Sequence, residues 1–366
     1  MHVLITSDTV GGVWTYTQEL VTGLISAGHR VTLVSFGRLP LPHQTEWMKG
    51  LANLDFRPTE YALEWMEVAE RDIEESRRYL ELLVNEVQPE VLHLSQYCYG
   101  DVAVSVPKVV VAHSDVVSWW VALHDREPDD TPWIRRYRET VTSGLRGADF
   151  IVAPSQWMLD QVIKHYIRPA ASAVVHNGRT LGLFDTAVPK QRYVLSVGRV
   201  WDAAKQVSLL LAEDVGLPVR IVGWEKEPGR EAPSSDVKVP VNVQLLGPKS
   251  QSELRELYAR AAIYAGTSRY EPFGLSPLEA ALSHCALVLN DNPVFHELWD
   301  GAAIFFNRND SQDLKRVLES IDRDLPLLEQ YSNRAYERAT VTFNSQEMVK
   351  QYHRIYQEIA APVRVG

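Results

Sequence analysis

The sequence predicts an α/β protein made of two doubly wound domains, each built on a parallel sheet. Short apolar runs alternate with segments of helical periodicity, and this alternation stops near residues 178–190, a stretch containing Gly and Pro, and then begins again. Nearly continuous apolar strands are typical of parallel sheets, because helices cover both faces of such a sheet. The length of 366 residues agrees with two domains of roughly 150 residues each.

The first half begins with a strand–loop–helix–strand unit. Residues 3–5 predict the first strand, residues 13–27 carry helical periodicity, and Gly28 follows as a helix stop signal. The longest helix of this half is predicted over residues 60–87 from its helical pattern. Pro89 ends it, because proline cannot continue a helix. The other strands of this half are predicted at residues 31–35, 91–94, 109–112, 150–153 and 173–175.

The second half repeats the alternation. Six apolar runs predict strands, and helical patterns lie between them. From about residue 311 the pattern is helical to near the C-terminus. The strands are predicted at residues 193–197, 219–222, 243–246, 263–265, 286–289 and 303–306.

The composition excludes several classes of protein. Apolar residues make up 45% of the chain, which excludes a disordered protein, and the two cysteines are too few for a disulfide scaffold or a zinc site. No apolar run approaches the roughly 18 residues of a membrane-spanning helix, and the N-terminus lacks the pattern of a secretory signal. We therefore expect a protein of the reducing cytoplasm.

The charge argues against nucleic acid as a partner. The net charge is −10, and phosphate contacts need clustered basic residues. Residues 133–146 are an exception, since they contain four arginines. We interpret this segment as a solvated helix face.

Ligands of open α/β sheets bind outside the carboxyl ends of the strands, so the loops after strands are the candidate sites. The first such loop, TSDTVGGVW, lacks the G-x-G-x-x-G spacing of a dinucleotide fingerprint, which disfavours a nicotinamide oxidoreductase. Its Gly11-Gly12 pair suits close approach of the backbone to an anion or a sugar. The alternative is that both glycines serve only the turn.

The loop after the first strand of the second half reads SVGRVWDAAKQ. Gly198 permits a tight turn, and Lys205 is predicted in the opening turn of the next helix. Arg199 and Lys205 then converge on one anion with the help of the helix N-terminus, as a diphosphate requires. The alternative is that they are two unrelated surface cations.

The segment RYEPFGLSPLE follows the predicted strand at residues 263–265. Pro277 suits a first helical position, and Ser276 and Glu279 have the spacing of a capping box. Capping does not explain Glu271 or the loop at residues 271–275. This loop presents backbone N–H groups beside a helix N-terminus, and Glu271 adds a carboxylate that accepts hydrogen bonds from hydroxyls.

The motif E-P-F-G-L-x-x-x-E resembles the E-x7-E signature of the retaining glycosyltransferases of family 4, the group 1 set with the GT-B fold. Other segments of this chain are similar to the family in order and spacing, so the resemblance covers nearly the whole chain. They are Gly11-Gly12, His113, Ala153-Pro154-Ser155, His176-Asn177-Gly178, Gly198-Arg199 with Lys205, and Leu246-Gly247.

The resemblance implies two Rossmann-like domains that face a cleft. Residues 1–182 would form the acceptor-side domain and residues 183–345 the domain that binds the nucleotide-sugar donor. The helical segment at residues 346–366 would cross back to the N-terminal domain.

The resemblance also implies roles for single residues. Arg199 and Lys205 would bind the donor diphosphate and stabilise the leaving nucleotide by electrostatic stabilisation, so no metal and no cofactor is expected. Glu271 would contact the sugar hydroxyls, and Glu279 the ribose hydroxyls. His113 would lie near the anomeric centre. Further donor contacts are implied for Gly11, Gly12, Leu246, Gly247, Phe273, Gly274 and Leu275.

Two other groups of residues have alternative interpretations. Trp119 and Trp120 form an acceptor platform or belong to the core, since aromatic faces stack on sugars and also fill cores. His284, at a predicted helix end, is interpreted as structural.

The chain departs from the family pattern at three places. Residues 223–226 read GWEK where the family commonly has G-x-G-P, and Gln206 replaces a glycine. Arg179-Thr180 replaces the usual apolar–acidic pair. None of these changes removes a charged group that the chemistry requires.

The expected function is retaining transfer of a hexose from a nucleotide sugar, a UDP-sugar such as UDP-glucose, to an acceptor hydroxyl in polysaccharide or glycoconjugate biosynthesis. A GT-B phosphorylase or epimerase is one alternative, and a non-catalytic protein that binds sugar nucleotides is another. The expected location is the cytoplasm, with at most peripheral contact at the inner face of the membrane.

Overall fold

The computed structural model describes residues 1–225 and 239–361. These residues divide into two compact units. The first contains Met1–Val121, Arg126–Gly178 and the segment that begins at Ser345, and the second contains Ala122–Asp125 and Arg179–Asn344. Lys226, part of the predicted departure from the family pattern, lies outside the described residues, as do residues 362–366 of the predicted C-terminal segment.

The first unit is built on a seven-stranded parallel sheet with the order β3-β2-β1-β4-β5-β6-β7. The interior strand β1 pairs with β2 and β4. The strands are β1 (His2–Asp8), β2 (Arg30–Phe36), β3 (Leu54–Pro58), β4 (Val91–Leu94), β5 (Lys108–Val111), β6 (Phe150–Ala153) and β7 (Ser172–Val174).

Helices cover both faces of this sheet, as a parallel sheet requires. Along β1 the side chain of Leu4 belongs to one apolar core, whereas Val3 and Ile5 belong to the core on the opposite face. The helices are α1 (Gly12–Ser26), α2 (Glu70–Val87), α3 (Val116–His124), α4 (Pro132–Gly147) and α5 (Gln156–His165).

The second unit is built on a six-stranded parallel sheet with the order β10-β9-β8-β11-β12-β13. The strands are β8 (Gln191–Val197), β9 (Val219–Val222), β10 (Val243–Leu245), β11 (Ala261–Gly266), β12 (Ala286–Asn290) and β13 (Ile304–Phe306). The helices are α6 (Leu209–Ala212), α7 (Gln251–Arg260), α8 (Leu275–Leu282), α9 (Pro293–Trp299), α10 (Ser311–Arg323) and α11 (Leu325–Thr342).

The last helix, α12 (Ser345–Ala360), packs in the first unit against α1. Its residues Met348, Tyr352 and Tyr356 are buried in the same core as Val3 and Ile5. The N–H of Gly178 donates a hydrogen bond of 3.3 Å to Met348 Sδ. None of the helices in the described parts of the chain is both long and apolar enough to cross a membrane.

The predicted strands are confirmed within one to three residues at each end, but two predictions about the first half were wrong. β3 was not predicted, and the helix predicted from residue 60 begins only at Glu70. Tertiary contacts hold the intervening segment out of a helix. Leu63 is buried in the core, and the Glu64 carboxylate accepts hydrogen bonds from the N–H groups of Tyr97 and Cys98 at 3.0 and 2.6 Å.

Candidate functional site

The strand ends of the second sheet are joined into one continuous edge by backbone hydrogen bonds. The N–H of Gly198, after β8, donates to Val222 at the end of β9 at 2.9 Å. The N–H of Gly223 donates in turn to Gly247, after β10, at 3.0 Å. The predicted donor residues Leu246 and Gly247 therefore lie at the same edge as Gly198.

Gly223 cannot carry a side chain without moving this edge. Its φ is +151°, and a Cβ built on it would lie 2.1 Å from the carbonyl oxygen of Gly198. Only glycine fits here, because the two backbone segments are in direct contact.

Arg199 is oriented by its own loop. Its Nε and Nη2 donate to Asp202 Oδ2 at 3.1 and 2.5 Å, and its guanidinium lies 5.2 Å from the ring centre of Trp201. Asp202 is buried and also accepts a hydrogen bond of 2.9 Å from the N–H of Ala204. The Arg199 side chain remains 44% exposed, so its cationic group is accessible to a ligand.

Lys205 lies in a turn, and its predicted position in the opening turn of a helix was wrong. The helix α6 begins only at Leu209 and has four residues. Gln206 has a φ of +48°, which a helix does not tolerate. The N-terminus of α6 therefore does not assist Lys205. The absence of a side chain at Gly198 leaves room for Lys205, because an added Cβ there would lie 3.2 Å from Lys205 Cβ.

Lys205 and Glu271 form the central ion pair of this edge. Lys205 Nζ lies 2.5 Å from Glu271 Oε2, and Ser268 Oγ donates to the same oxygen at 3.2 Å. Both side chains are largely buried. Their loops are also joined, because Thr267 Oγ1 donates to the Lys205 carbonyl at 2.7 Å.

The loop after Glu271 leads into α8, which starts earlier than predicted. The helix begins at Leu275, so Ser276 is not its cap and Pro277 is not its first residue, and the predicted capping box was wrong. The cap is Gly274, with φ +93° and no side-chain acceptor. An added Cβ at Gly274 would contact Glu271 Cγ at 3.1 Å, so a glycine suits this close turn.

Other residues of this motif are buried. Phe273 packs against Phe343 with ring centres 5.5 Å apart. Glu279 lies inside α8 and is 5% exposed. Its Oε1 lies 3.0 Å from Nε of Arg179.

Sequence reasoning missed Arg179 as a site residue. The sequence carried only a partial signal, because a charged residue stands where the resembling family carries an apolar one. Arg179 is only 2% exposed, which a lone arginine does not tolerate, so a buried carboxylate partner could have been inferred from burial but not from sequence.

In the first unit, the predicted glycine loop forms the start of α1. Gly11 is the N-cap residue with φ +64° and no side-chain cap, and Gly12 is the first helical residue. Apart from its neighbours along the chain, no residue that the structure describes has an atom within 4 Å of a Cβ built on Gly11. The loop therefore presents an uncapped helix N-terminus with space in front of it, a geometry suited to anions.

His113 follows β5, as predicted. Its Nε2 lies 3.2 Å from Ser95 Oγ, and its ring meets that of Tyr16 edge-on at 4.7 Å. Desolvation lowers the pKa of His113 to about 3. The imidazole is therefore neutral at pH 7 and can donate one hydrogen bond.

His93 is a buried neighbour that sequence reasoning missed. Its Nε2 is 3.0 Å from the hydroxyl of Tyr16, and its Nδ1 is 2.7 Å from the hydroxyl of Tyr356 on α12. Burial, and to a smaller extent the charge of His113, lowers the pKa of His93 to about 3. Hydrogen bonds thus connect Tyr356 on α12, through His93, to Tyr16, the residue whose ring packs on His113.

Asp8, at the end of β1, is a second residue that the sequence did not single out. Desolvation raises its pKa from 3.8 to about 7, the nearby Glu64 adds to the rise, and a hydrogen bond from the N–H of Val10 opposes it. The carboxyl is therefore partly protonated near neutral pH, and it lies three residues before Gly11.

We expect Asp8→Asn to stabilise the protein in a pH-dependent way. A raised pKa means that ionised Asp8 disfavours the folded state, so wild type loses stability as the pH rises above about 4 and stops losing it above about 7. The variant should equal wild type near pH 4 and exceed it by about 4 kcal/mol at pH 8, as measured by chemical denaturation at each pH.

Asp185→Asn is the matched control, because Asp185 accepts the same type of hydrogen bond, from Ala187 N–H at 2.8 Å, at an exposed position. The Asp8 assignment is contradicted if both variants show the same pH-independent difference from wild type.

The remaining predicted groups are located as follows. Trp119 and Trp120 lie on α3 and are half-buried, and their ring centres are 6.4 Å apart. The Arg126 guanidinium lies 5.7 Å from the centre of the Trp120 ring. His284 stacks on Tyr336 at 3.7 Å, as a structural residue would.

The arginine-rich segment forms α4, and three of its arginines lie near carboxylates. Arg138 is 2.6 Å from Glu127, and Arg135 and Arg136 lie 3.6 and 3.9 Å from carboxylates of Asp130 and Glu70. This pairing favours the interpretation as a solvated helix face.

Comparison with known proteins gives the same assignment to both halves of the chain. The model described as Glycosyltransferase Family 4 matches residues 10–181. The model described as Glycosyl transferases group 1 matches residues 185–338. Together the two matches cover most of the chain.

Sequence relatives and solved structures agree. The chain is 22% identical over 223 residues to the O-antigen chain mannosyltransferase of Salmonella typhimurium, an alignment that spans 58% of this chain and only 63% of that relative. Sucrose-phosphate synthase from Thermosynechococcus elongatus superposes with a TM-score of 0.81 at 16% identity, covering 99% of both chains. Anabaena HepE in complex with UDP-glucose superposes with a TM-score of 0.73 at 15% identity, covering 98% of this chain and 100% of that one.

These structures share the GT-B fold, and the two parallel-sheet units of this protein match it. The chain belongs to the group 1 glycosyltransferases of family 4.

Proposed function

We propose that the protein is a retaining glycosyltransferase that moves a hexose from a nucleotide sugar, a UDP-sugar such as UDP-glucose, to an acceptor hydroxyl in polysaccharide or glycoconjugate biosynthesis. The observation that carries the proposal is the Lys205–Glu271 ion pair at the carboxyl edge of the second sheet, beside the N-terminus of α8, which has no side-chain cap. The solved HepE complex with UDP-glucose supports the choice of donor.

The donor diphosphate would bind at Arg199 and Lys205. Negative charge develops on the diphosphate as its bond to the sugar breaks, and two preoriented cations stabilise that charge. The exposed guanidinium of Arg199 is held in place by Asp202, so little reorganisation is needed. In this proposal the cations take the role that a divalent metal has in other transferases.

The sugar and ribose would be held by carboxylates. Glu271 accepts hydrogen bonds from sugar hydroxyls, and the binding of donor replaces part of its contact with Lys205. Glu279 accepts hydrogen bonds from the ribose hydroxyls. The backbone of Phe273, Gly274 and Leu275 completes the donor side, with Leu246 and Gly247 beside the base.

The first unit would supply the acceptor side. A neutral His113 carries one ring N–H, which is suited to donate a hydrogen bond to a hydroxyl near the anomeric carbon. The open N-terminus of α1 at Gly11 and Gly12 suits the phosphates, and Trp119 and Trp120 offer aromatic faces to an acceptor sugar.

The first test is a thermal-shift panel with UDP, GDP and ADP and with their glucose, galactose, mannose and N-acetylglucosamine derivatives. A ligand that binds only the folded state adds about 2.7 kcal/mol at a concentration of 100 times Kd, so the true donor class raises Tm by several degrees. We expect a shift with UDP and UDP-glucose that is lost in Lys205→Met.

The second test is transfer from UDP-glucose to a panel of glucosides and oligosaccharides, followed by NMR of the new linkage. An α-linked product from this α-linked donor supports retention, and an unchanged rate in EDTA supports metal independence. Isomerised donor without acceptor would support an epimerase, and released sugar phosphate a phosphorylase. Binding of UDP-sugar without turnover on any acceptor would support a non-catalytic protein.

A further inference from the structure

We propose that Arg179 is a positioning residue for donor recognition, because it pairs with the buried Glu279 carboxylate and fixes its orientation toward the ribose. This inference rests on the proposed function, in which Glu279 accepts hydrogen bonds from the ribose hydroxyls. It names a residue outside the E-x7-E motif as a determinant of that contact.

The pair is buried on both sides. The side chains of Arg179 and Glu279 are 2% and 7% exposed, and Nε of the first lies 3.0 Å from Oε1 of the second. The Arg179 guanidinium also lies 5.5 Å from the ring centre of Phe184, where an aromatic face favours a cation. The guanidinium is thus fixed by an aromatic ring and a carboxylate.

The main chain of Arg179 is fixed as well. Its N–H donates a hydrogen bond of 3.0 Å to the carbonyl of Phe343, and it forms an isolated parallel bridge with Asn344. Phe343 packs on Phe273 of the donor motif. The backbone of Arg179 is therefore held in a fixed position next to the motif that contains Glu279.

Burial explains why this carboxylate needs such a partner. Desolvation favours the neutral form of a buried carboxyl, and a neutral carboxylic acid accepts hydrogen bonds weakly. A neighbouring guanidinium reverses this preference and remains charged at any physiological pH. Its planar group also orients the carboxylate, which the compact ammonium of lysine does less well.

The experiment measures ribose recognition directly. Isothermal titration calorimetry gives Kd for UDP and 2′-deoxy-UDP, and for GDP and 2′-deoxy-GDP, with wild type, Glu279→Gln, Arg179→Gln and Arg179→Lys. Hydrogen bonds to a charged group correspond to a ratio of deoxy to ribo Kd of about 10 to 100 in wild type. We expect Glu279→Gln and Arg179→Gln to reduce this ratio to below about 3, and Arg179→Lys to give an intermediate ratio.

The deoxynucleotides separate positioning from general damage. If Arg179 acts only through Glu279, the Kd for 2′-deoxy-UDP should change less than about threefold in Arg179→Gln, whereas a disrupted site would weaken both nucleotides equally. Arg192→Gln is the matched control, since Arg192 pairs with Asp322 in the same unit but at an exposed position. Should Arg179→Gln fail to fold, Arg179→Lys keeps the charge and still tests the orientation.

The outcomes distinguish this inference from the proposed function. The ribose role proposed for Glu279 is wrong if wild type binds the ribonucleotide and the 2′-deoxynucleotide equally well. It is also wrong if Glu279→Gln keeps the wild-type ratio of deoxy to ribo Kd. The positioning role of Arg179 is overturned in two cases, and the proposed function stands in both. In the first, Glu279→Gln lowers the ratio of deoxy to ribo Kd while both folded Arg179 variants keep it. In the second, the Arg179 variants raise the Kd of the ribonucleotide and of the deoxynucleotide by the same factor.

Discussion

Lys205→Met is expected to lower kcat/KM for sugar transfer by about 10²- to 10³-fold, the range found when one preoriented stabiliser of developing charge is removed. The variant keeps an unbranched side chain close to the length of the lysine stem and removes the ammonium that lies 2.5 Å from Glu271. The loss should appear mainly in kcat, because leaving-group charge is greater in the transition state than in the bound donor. Steady-state kinetics at varied donor concentration checks this split.

Glu271→Gln is the companion variant. It removes the charge of the other member of the pair and keeps its size, and we expect a comparable loss of activity. The two losses should not add in the double variant, because the side chains are in contact.

Lys350→Met is the control, since Lys350 is 68% exposed and lies 3.5 Å from Glu347 on α12. Wild-type activity in either Lys205→Met or Glu271→Gln would defeat the assignment of the donor site. Equal loss in Lys350→Met would show that the effect is not specific.

Gly223→Ala is expected to impair both folding and transfer. The added Cβ would lie 2.1 Å from the carbonyl oxygen of Gly198, and the φ of +151° already disfavours alanine. We expect a loss of unfolding free energy of about 2–4 kcal/mol from strain and displacement of the two loops. Because Arg199 follows Gly198 directly, a shift of about 1 Å there should also reduce kcat about 10²-fold.

Gly182→Ala is the matched control, because a Cβ at Gly182 would meet no atom within 4 Å in the described parts of the chain beyond its own neighbours. Urea denaturation and transfer assays on both variants provide the check. A Gly223→Ala protein that is as stable and active as Gly182→Ala would show that the contact between the loops after β8 and β9 is not required.

Much of the second unit's candidate site was predictable from sequence. Arg199, Glu271 and Gly247 were each assigned to a loop that follows a predicted strand, and all three lie at the carboxyl ends of β8, β11 and β10. Parallel strands bring their carboxyl ends to one edge, so a correct assignment of strands is enough to gather these residues.

Local details were predicted less well where tertiary contacts override local preferences. The spacing of Ser276 and Glu279 favoured a capping box, but α8 begins at Leu275 and Glu279 lies beside buried Arg179 instead. Periodicity favoured a helix from residue 60, but burial of Leu63 in the core holds that segment in another conformation.

The sequence by itself determined the two parallel sheets, the strands that compose them and the loops in which the donor motif lies, because apolar periodicity and glycine–proline punctuation are local properties of the chain. Only the tertiary structure decided which distant residues meet. The Arg179–Glu279 pair, the contact of Gly223 with Gly198 and the hydrogen bond between Tyr356 and His93, which are 263 positions apart, all depend on it. Such partners are selected by burial and close packing, since a buried charge or polar group is retained only where the completed fold supplies a complementary one.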